Sequence, residues 1–116
     1  MSKLRLIFRL KIHAGKLAEF EEVAAAILSV VNAKGPDTLE YEWFLTGDQT
    51  ECVVLETFAS SEALLEHAEA VAELAGRLFA LSDMQNIWLC GEPSAEVLAK
   101  TAAFAPRVYA FLQGRG

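Results

Sequence analysis

The order in which the hydrophobic period changes along the chain constrains the fold most. Residues 3–13 alternate strictly, with leucines at 4, 6 and 10 on one side and basic residues at 5, 9 and 11 on the other. A period of two over this length predicts a β-strand. From Leu17 to Val31 the apolar residues recur at steps of three and four, which predicts an amphipathic helix. Gly35-Pro36 is expected to end that helix.

The period changes again downstream. Residues 39–45 and 52–58 flank a short polar loop with a glycine, which predicts a β-hairpin. Ser60 or Ser61 is expected to cap a second helix that Gly76 ends or kinks, with one further helical turn over residues 77–81. Residues 84–90 alternate as a fourth strand, with Asn86 and Trp88 on one side. The predicted element order is β-α-β-β-α-β in one α+β domain.

The C-terminal segment is expected to be an extension of that domain. The predicted boundaries are residues 1–91 for the domain and 92–116 for the extension. Ser94 is expected to cap a short helix that runs to about Ala103, and residues 107–112 form a strand-like run. The segment is too short to form its own core, so it is expected to pack on the same domain or on a partner subunit.

Composition narrows the class of protein. Hydrophobic residues make up 53% of the 116-residue chain, whereas a domain of this size buries only about two-thirds of its unfolded surface. A partner subunit is therefore expected. The net charge of −6, without a basic block, argues against nucleic-acid binding. The longest uncharged apolar stretch, residues 23–33, is far shorter than the ~20 residues of a membrane span, and a cytoplasmic location is expected.

The sequence lacks several familiar catalytic patterns. Its glycines do not follow a phosphate-loop or dinucleotide-binding spacing, and it contains no G-x-S-x-G motif. Its two histidines, His13 and His67, lie far apart and without the spacing of a metal site. These absences disfavour nucleotide-type cofactors, serine or cysteine hydrolases and a dedicated metal centre.

Glu56 and His67 are the candidate polar groups of an otherwise apolar interior. Glu56 interrupts the apolar side of the third strand, and a buried carboxylate needs a partner or a ligand. It pairs across strands with Arg5, Arg9 or Lys11, or else it is a cavity acid or a residue that positions a catalytic group. His67 lies beside the apolar stripe of the second helix. It is either a boundary histidine or a residue that reaches into a pocket, where it could accept a proton at neutral pH.

The hairpin and the helix that follows it resemble the antibiotic biosynthesis monooxygenase superfamily. The residues that carry the resemblance are Tyr41-Glu42-Trp43-Phe44-Leu45, then Cys52-Val53-Val54-Leu55-Glu56-Thr57-Phe58, then Ser60-Ser61-Glu62-Ala63-Leu64-Leu65-Glu66-His67. The resemblance implies a ferredoxin-like fold with an antiparallel sheet that pairs with a second copy in a homodimeric α/β barrel. It also implies a monooxygenase that uses no metal, flavin or haem and oxidises a small quinol, phenolic or polyketide-like aromatic with O₂.

The resemblance also assigns roles to residues. His67 and Glu56 match the catalytic positions, and Tyr41, Trp43 and Phe58 are expected to bind the ligand. Asn86 and Trp88 are further expected ligand-binding residues, from the strand pattern only. Two alternatives stay open: a non-catalytic dimeric barrel that binds a small apolar ligand in a stress response, and an isomerase or decarboxylase on the same fold.

Overall fold

The computed structural model describes residues 3–115. Its elements, in chain order, are β1 (Leu4–Ile12), α1 (Leu17–Lys34), β2 (Thr38–Leu45), β3 (Glu51–Phe58), α2 (Ser61–Ala70), α3 (Ala72–Ala80), β4 (Ser82–Cys90), α4 (Ala95–Thr101), a 3₁₀ turn (Ala102–Phe104) and β5 (Arg107–Tyr109). The predicted order of strands and helices is confirmed, and the fold is ferredoxin-like.

The five strands form one open, mixed sheet in the order β2-β3-β1-β4-β5. Neighbouring strands are antiparallel except for β4 and β5, which run parallel. In β1 the even-numbered residues face the helices, and Leu4 and Leu10 are fully buried there. The odd-numbered residues, including Arg5 and Arg9, face the opposite side, which we call the open face. The alternation predicted for residues 3–13 therefore sets the two sides of the whole sheet.

Two groups of buried side chains form the core under the helices. One group joins β1 and β3 to α1 through residues such as Phe20 and Ile27. The other joins β1 and β4 to α2 and α4 through residues such as Leu64 and Val97. Phe8 packs against both groups, so the two halves of the helical layer share one sheet surface.

The second helical region breaks five residues earlier than the expected glycine. Ser60 caps α2 by accepting a hydrogen bond from the Ala63 backbone N–H, as predicted. The helix then stops at Val71, whose side chain is buried in the core, and α3 begins at the next residue. Gly76 lies inside α3, so the expectation that it ends or kinks the helix was wrong.

A register shift in β4 sets which of its side chains face the helices. Leu10 of β1 pairs with Met84, but the preceding residue Arg9 pairs with Asn86, so Gln85 is left as an extra residue in β4. Such a bulge exchanges the faces of the residues that follow it. Ile87 consequently faces the helices.

The C-terminal segment folds back onto the domain. Val97 of α4 is completely buried, and the Ser94 backbone N–H donates to Oγ of Ser61 at the start of α2. β5 then pairs with the edge strand β4, and the Gly91 N–H donates to the carbonyl of Tyr109. The strand ends at Tyr109, short of the predicted residue 112. Within residues 3–115, the helices are all too short or too polar to cross a membrane.

Candidate active site

A cavity of about 310 Å³ lies between the helix-covered side of the sheet and helices α2 and α3. Its walls are mostly apolar. They include Leu6, Phe8 and Leu10 of β1, Tyr41 and Trp43 of β2, Val54 of β3, and Val71, Leu78 and Phe79 of the helical layer. This volume is at the small end of the range for ligand sites, and apolar walls with few polar groups are typical of such sites.

Glu56 brings a carboxyl group into this cavity. Alternation along β3 puts it on the same side as Val54 and Phe58, and its side chain is only 3% exposed. Oε1 of Glu56 has no hydrogen-bond partner among the residues that the structure describes. The expected cross-strand ion pair is absent there, because Arg5, Arg9 and Lys11 extend from the open face, on the opposite side of the sheet from Glu56. Of the two interpretations from sequence, the cavity acid is the one that the structure supports.

His67 lines the same cavity from α2. Its Nε2 lies 3.5 Å from Oε1 of Glu56, and 9% of its side chain is exposed. The imidazole packs against the rings of Tyr41 and Phe58, each with its centroid 5.2 Å away. Two aromatic neighbours restrict the orientation of the imidazole, so His67 is fixed inside the pocket rather than at the boundary.

Burial moves the pKa values of this pair in opposite directions. Loss of solvation raises the pKa of Glu56 to about 8, and the Tyr41 hydroxyl opposes that rise to a smaller extent. Loss of solvation also lowers the pKa of His67 to about 4. Burial, together with the neighbouring Glu56, raises the pKa of the Tyr41 hydroxyl. At neutral pH the cavity therefore holds a protonated Glu56, an uncharged His67 and a protonated Tyr41.

Trp43 supplies a second polar atom without a partner. Its ring packs edge-on against Phe20, with the centroids 6.2 Å apart, and against Tyr41 at 5.7 Å. The indole Nε1 is buried and lacks a hydrogen-bond partner within residues 3–115. A buried indole N–H normally finds an acceptor. Nε1 of Trp43 and Oε1 of Glu56 are thus two open hydrogen-bonding positions on residues that line one cavity.

Three of the expected ligand-binding residues, Phe58, Asn86 and Trp88, do not line the cavity. Asn86 and Trp88 lie on the open face, where they pair in register with Arg9 and Ile7 of β1. The Asn86 side-chain oxygen accepts a hydrogen bond of 3.0 Å from Nη1 of Arg9. The sequence pattern had correctly placed Asn86 and Trp88 on one side of β4, but the bulge at Gln85 turns that side away from the helices. Phe58 is fully buried and packs against the ring of His67, so it can act on the cavity only through that residue.

The C-terminal segment contributes wall residues that sequence reasoning missed. Lys100, Thr101 and Phe104 line the cavity. The apolar content of this segment indicated that it must pack somewhere, but no motif marked its cavity residues. His67 also lines a second cavity, of about 190 Å³, between the end of α1 and α2. Within the described part of the chain, acidic, histidine and cysteine side chains form no group of three that could hold a metal ion.

Comparison with known proteins identifies the family. The family model of antibiotic biosynthesis monooxygenases matches residues 4–75, more than half of the chain. The chain belongs to this family. The match contains β2, β3 and α2, and so all of Tyr41, Trp43, Glu56 and His67. No curated protein matches the chain at the sequence level.

Solved structures share the fold of this family member. MupZ from Pseudomonas fluorescens superposes with a TM-score of 0.82 at 21% identity, covering 100% of this chain and 95% of MupZ. SnoaB, a cofactor-independent oxygenase from Streptomyces nogalater, gives 0.68 at 20% identity, covering 82% of this chain and 97% of SnoaB. Rv0793 from Mycobacterium tuberculosis gives 0.69 at 17% identity, covering 80% and 97%. At these identities the likeness shows the fold alone.

Proposed function

We propose that the protein is a cofactor-independent monooxygenase that oxidises a small quinol, phenolic or polyketide-like aromatic with O₂. The observation that carries the proposal is the combination of an apolar cavity with an uncharged histidine and two unpartnered polar atoms. Membership of the antibiotic biosynthesis monooxygenase family supports it. So does the shared fold of SnoaB, which is a cofactor-independent oxygenase.

The first step is removal of a proton from the substrate by His67. An uncharged imidazole has one nitrogen lone pair free to accept a proton. The lowered pKa of His67 keeps the imidazole in this form at neutral pH but also makes it a weak base, so proton transfer depends on the substrate anion to stabilise the imidazolium that forms. Oε1 of Glu56, at 3.5 Å, is placed to face the imidazolium that forms. Glu56 is in this scheme a positioning residue for His67, and its buried, protonated state keeps the cavity free of fixed negative charge.

The substrate anion then reacts with O₂ without an external reductant. It transfers one electron to O₂, and the radical and superoxide combine to form a peroxide at the reacting carbon. Return of the proton from His67 allows water to leave. The substrate loses two hydrogens, the one that His67 removes at the start and the one on the carbon that carries the peroxide, and that carbon gains one oxygen. The second oxygen departs as water with these two hydrogens. All four electrons come from the substrate, so the step balances without flavin, haem or metal.

The aromatic residues bind and orient the substrate. Trp43 Nε1–H is an open donor for the oxyanion of the deprotonated substrate, and a donor already fixed in an apolar site stabilises such charge effectively. Tyr41 restricts the His67 ring from the cavity side, and Phe58 packs against the same ring from β3. The apolar walls exclude water, which strengthens each of these interactions.

Oxygen uptake tests the proposal. The purified protein, with metals chelated, is incubated with a panel of reduced quinones, naphthols and anthrones in aerated buffer. We expect uptake above the spontaneous rate for at least one compound. Replacing His67→Ala should lower that rate by at least tenfold, since loss of a general base typically costs about 10²–10⁴ in rate. The matched control is His13→Ala, because His13 is half-exposed and pairs with Asp83 on the protein surface.

Three outcomes would contradict the proposal. An uptake that never exceeds the spontaneous rate across the panel would overturn it. Thermal stabilisation by a panel compound without turnover would instead favour a ligand-binding barrel. Turnover without oxygen consumption would favour an isomerase or decarboxylase.

We further propose that two copies pair through the open faces of their sheets. Ile7, Val53, Leu55 and Trp88 are only half-buried on this face, and Phe44 is exposed. Sheet faces that carry such side chains pack stably against another sheet. Such pairing would complete the dimeric barrel that the family resemblance implies, and it would leave the cavity on the helix-covered side of each copy.

A further inference from the structure

The cavity has one ionic group at neutral pH, on a residue outside the family match. Glu56 is protonated and His67 uncharged, as described above. The remaining charged side chain among the described lining residues is the ammonium of Lys100, at the end of α4. Lys100 is exposed to solvent while lining the cavity, which places it at the mouth rather than in the interior.

The backbone that carries Lys100 is held firmly against the domain. Val97, one turn earlier, is completely buried, and Thr101 Oγ1 donates to the Val97 carbonyl at 2.8 Å. Beyond Lys100, the Phe104 ring packs edge-on against Phe79 of α3, with the centroids 5.7 Å apart. The packing of the segment on either side therefore fixes the backbone position from which the Lys100 side chain extends.

The ammonium lacks an ionic partner of its own. The ion pairs within residues 3–115 join Arg5, Arg9 and Lys16 to nearby acids, His13 lies 3.0 Å from Asp83, and Lys100 takes part in no such contact. The chain as a whole has an excess of acidic residues. An unpaired cation at the mouth of an apolar cavity is complementary to a ligand with an apolar body and one negative group.

We propose that the cavity selects aromatic molecules that carry a carboxylate, and that Lys100 is the residue that determines this selectivity. The aromatic body would occupy the apolar interior between β2 and α3. The carboxylate would stay at the mouth beside Lys100, where it remains partly hydrated, so its desolvation costs little. The proposal rests on the proposed function only in that the cavity is a site for small aromatic ligands.

A matched pair of probes separates charge from shape. 2-Naphthoate and 2-naphthamide have nearly the same size, but only the first is an anion at neutral pH. Binding of each is measured by isothermal titration calorimetry at low salt. We expect the wild-type protein to bind 2-naphthoate about twofold to fivefold more tightly than 2-naphthamide, the range measured for solvent-exposed ion pairs. Added salt should reduce this preference.

Substitutions of Lys100 test whether this residue causes the preference for 2-naphthoate. Lys100→Gln should abolish the preference for 2-naphthoate and leave the affinity for 2-naphthamide unchanged, and Lys100→Glu should reverse the preference. Both substitutions are at an exposed position, so folding should be retained. The control is Lys34→Gln, because Lys34 is also exposed but lines the second, smaller cavity. It should leave both affinities unchanged.

The remaining outcomes distinguish failure of the carboxylate selectivity from failure of the proposed function. Equal binding of the two probes to the wild-type protein would overturn the selectivity while leaving the cavity as a ligand site. An equal loss of both affinities in Lys100→Gln would show that Lys100 acts on the cavity structure rather than on charge. Failure of both probes to bind would overturn both the selectivity and a cavity for small aromatics, and binding of 2-naphthamide alone would overturn the selectivity. Absence of oxygen uptake alone would overturn only the oxidation chemistry.

Discussion

At the scale of single residues, the buried Glu56 carboxyl is the most informative feature. It occupies a position on β3 where the alternation calls for an apolar side chain, and it lies in the core without a full set of hydrogen bonds. Such a group weakens the fold unless it stays protonated. Its retention there is understandable if the carboxyl and the adjacent His67 serve a ligand.

The raised pKa of Glu56 predicts how stability depends on pH. A carboxyl whose pKa rises from 4.5 to about 8 on folding keeps its proton in the folded state while the unfolded chain has lost it. The free energy of unfolding therefore falls as pH rises between these values, by up to about 1.4 kcal/mol per pH unit. The lowered pKa of His67 acts in the opposite direction between about 4 and 6.5, so the decrease becomes visible above pH 6.5.

Glu56→Gln removes this dependence. Urea unfolding at a series of pH values should show the variant gaining stability relative to the wild-type protein as pH rises from 6.5 to 8. His67 is present in both proteins, so the difference between them isolates the carboxyl. A difference that stays constant over this interval would show that Glu56 ionises normally in the folded protein.

Only some of the residues of the candidate site could be predicted from the sequence. Glu56 stood out because it interrupts an apolar side, and His67 because it lies beside the stripe of a predicted helix. That their side chains meet depends on the pairing of β3 and the angle of α2, which no local pattern encodes. The unpartnered Trp43 nitrogen is a property of its three-dimensional surroundings, and nothing in the sequence around Lys100 distinguishes it from other surface lysines.

At the scale of elements, regular hydrophobic periods in the sequence predicted the strands and helices. The predictions failed at two irregular positions of the backbone, the bulge in β4 and the break between α2 and α3. Strict alternation identified β1 and its two sides. One extra residue in β4, Gln85, reversed the side on which Asn86 and Trp88 lie, because side-chain direction has a period of exactly two. The helix break at Val71 was missed since a glycine nearby offered a more familiar reason for a break.

Alanine substitutions at two glycines, Gly91 and Gly76, are expected to change the free energy of unfolding in opposite directions. Gly91, which joins β4 to the C-terminal segment, has φ of +122°, and a Cβ there would lie 2.7 Å from the Lys3 carbonyl oxygen. Gly91→Ala should lower the free energy of unfolding by about 1–3 kcal/mol. Gly76 lies inside α3 with open space around it, so Gly76→Ala should raise the free energy of unfolding by about 0.5–1 kcal/mol.

Chemical denaturation of the two variants checks these signs. Similar stability changes in both proteins would contradict the conformations assigned to the two glycines. A destabilised Gly91→Ala protein should also lose the contact of the C-terminal segment with β4, which hydrogen exchange at the Gly91 and Val108 amides can detect.

At the scale of the whole molecule, a single copy of the chain buries only part of its many apolar side chains. The two core groups and the cavity walls use much of it, yet Phe111 and Leu112 remain 71% and 90% exposed, and the open face keeps its half-buried apolar residues. Surface of this kind is typical of an interface. The proposed dimer would cover the half-buried apolar residues of the open face.

Light scattering tests the dimer. We expect a mass about twice 12.7 kDa at micromolar concentration. Leu55→Glu, on the open face, should shift the protein towards the monomer because it introduces a charge into the interface. Leu28→Glu is the matched control, since Leu28 is on α1 and already partly exposed. A monomeric wild-type protein would contradict pairing through the sheets.

The proposed reaction at the cavity around His67 and Glu56 inserts one oxygen atom of O₂ into an aromatic substrate without a cofactor. Labelled oxygen tests it most directly. With ¹⁸O₂, chelated metals and the best substrate of the oxygen-uptake panel, mass spectrometry should find one ¹⁸O atom per product molecule, formed at a rate that falls at least tenfold in His67→Ala. An unlabelled product, or label that is incorporated equally fast by His67→Ala, would contradict the account.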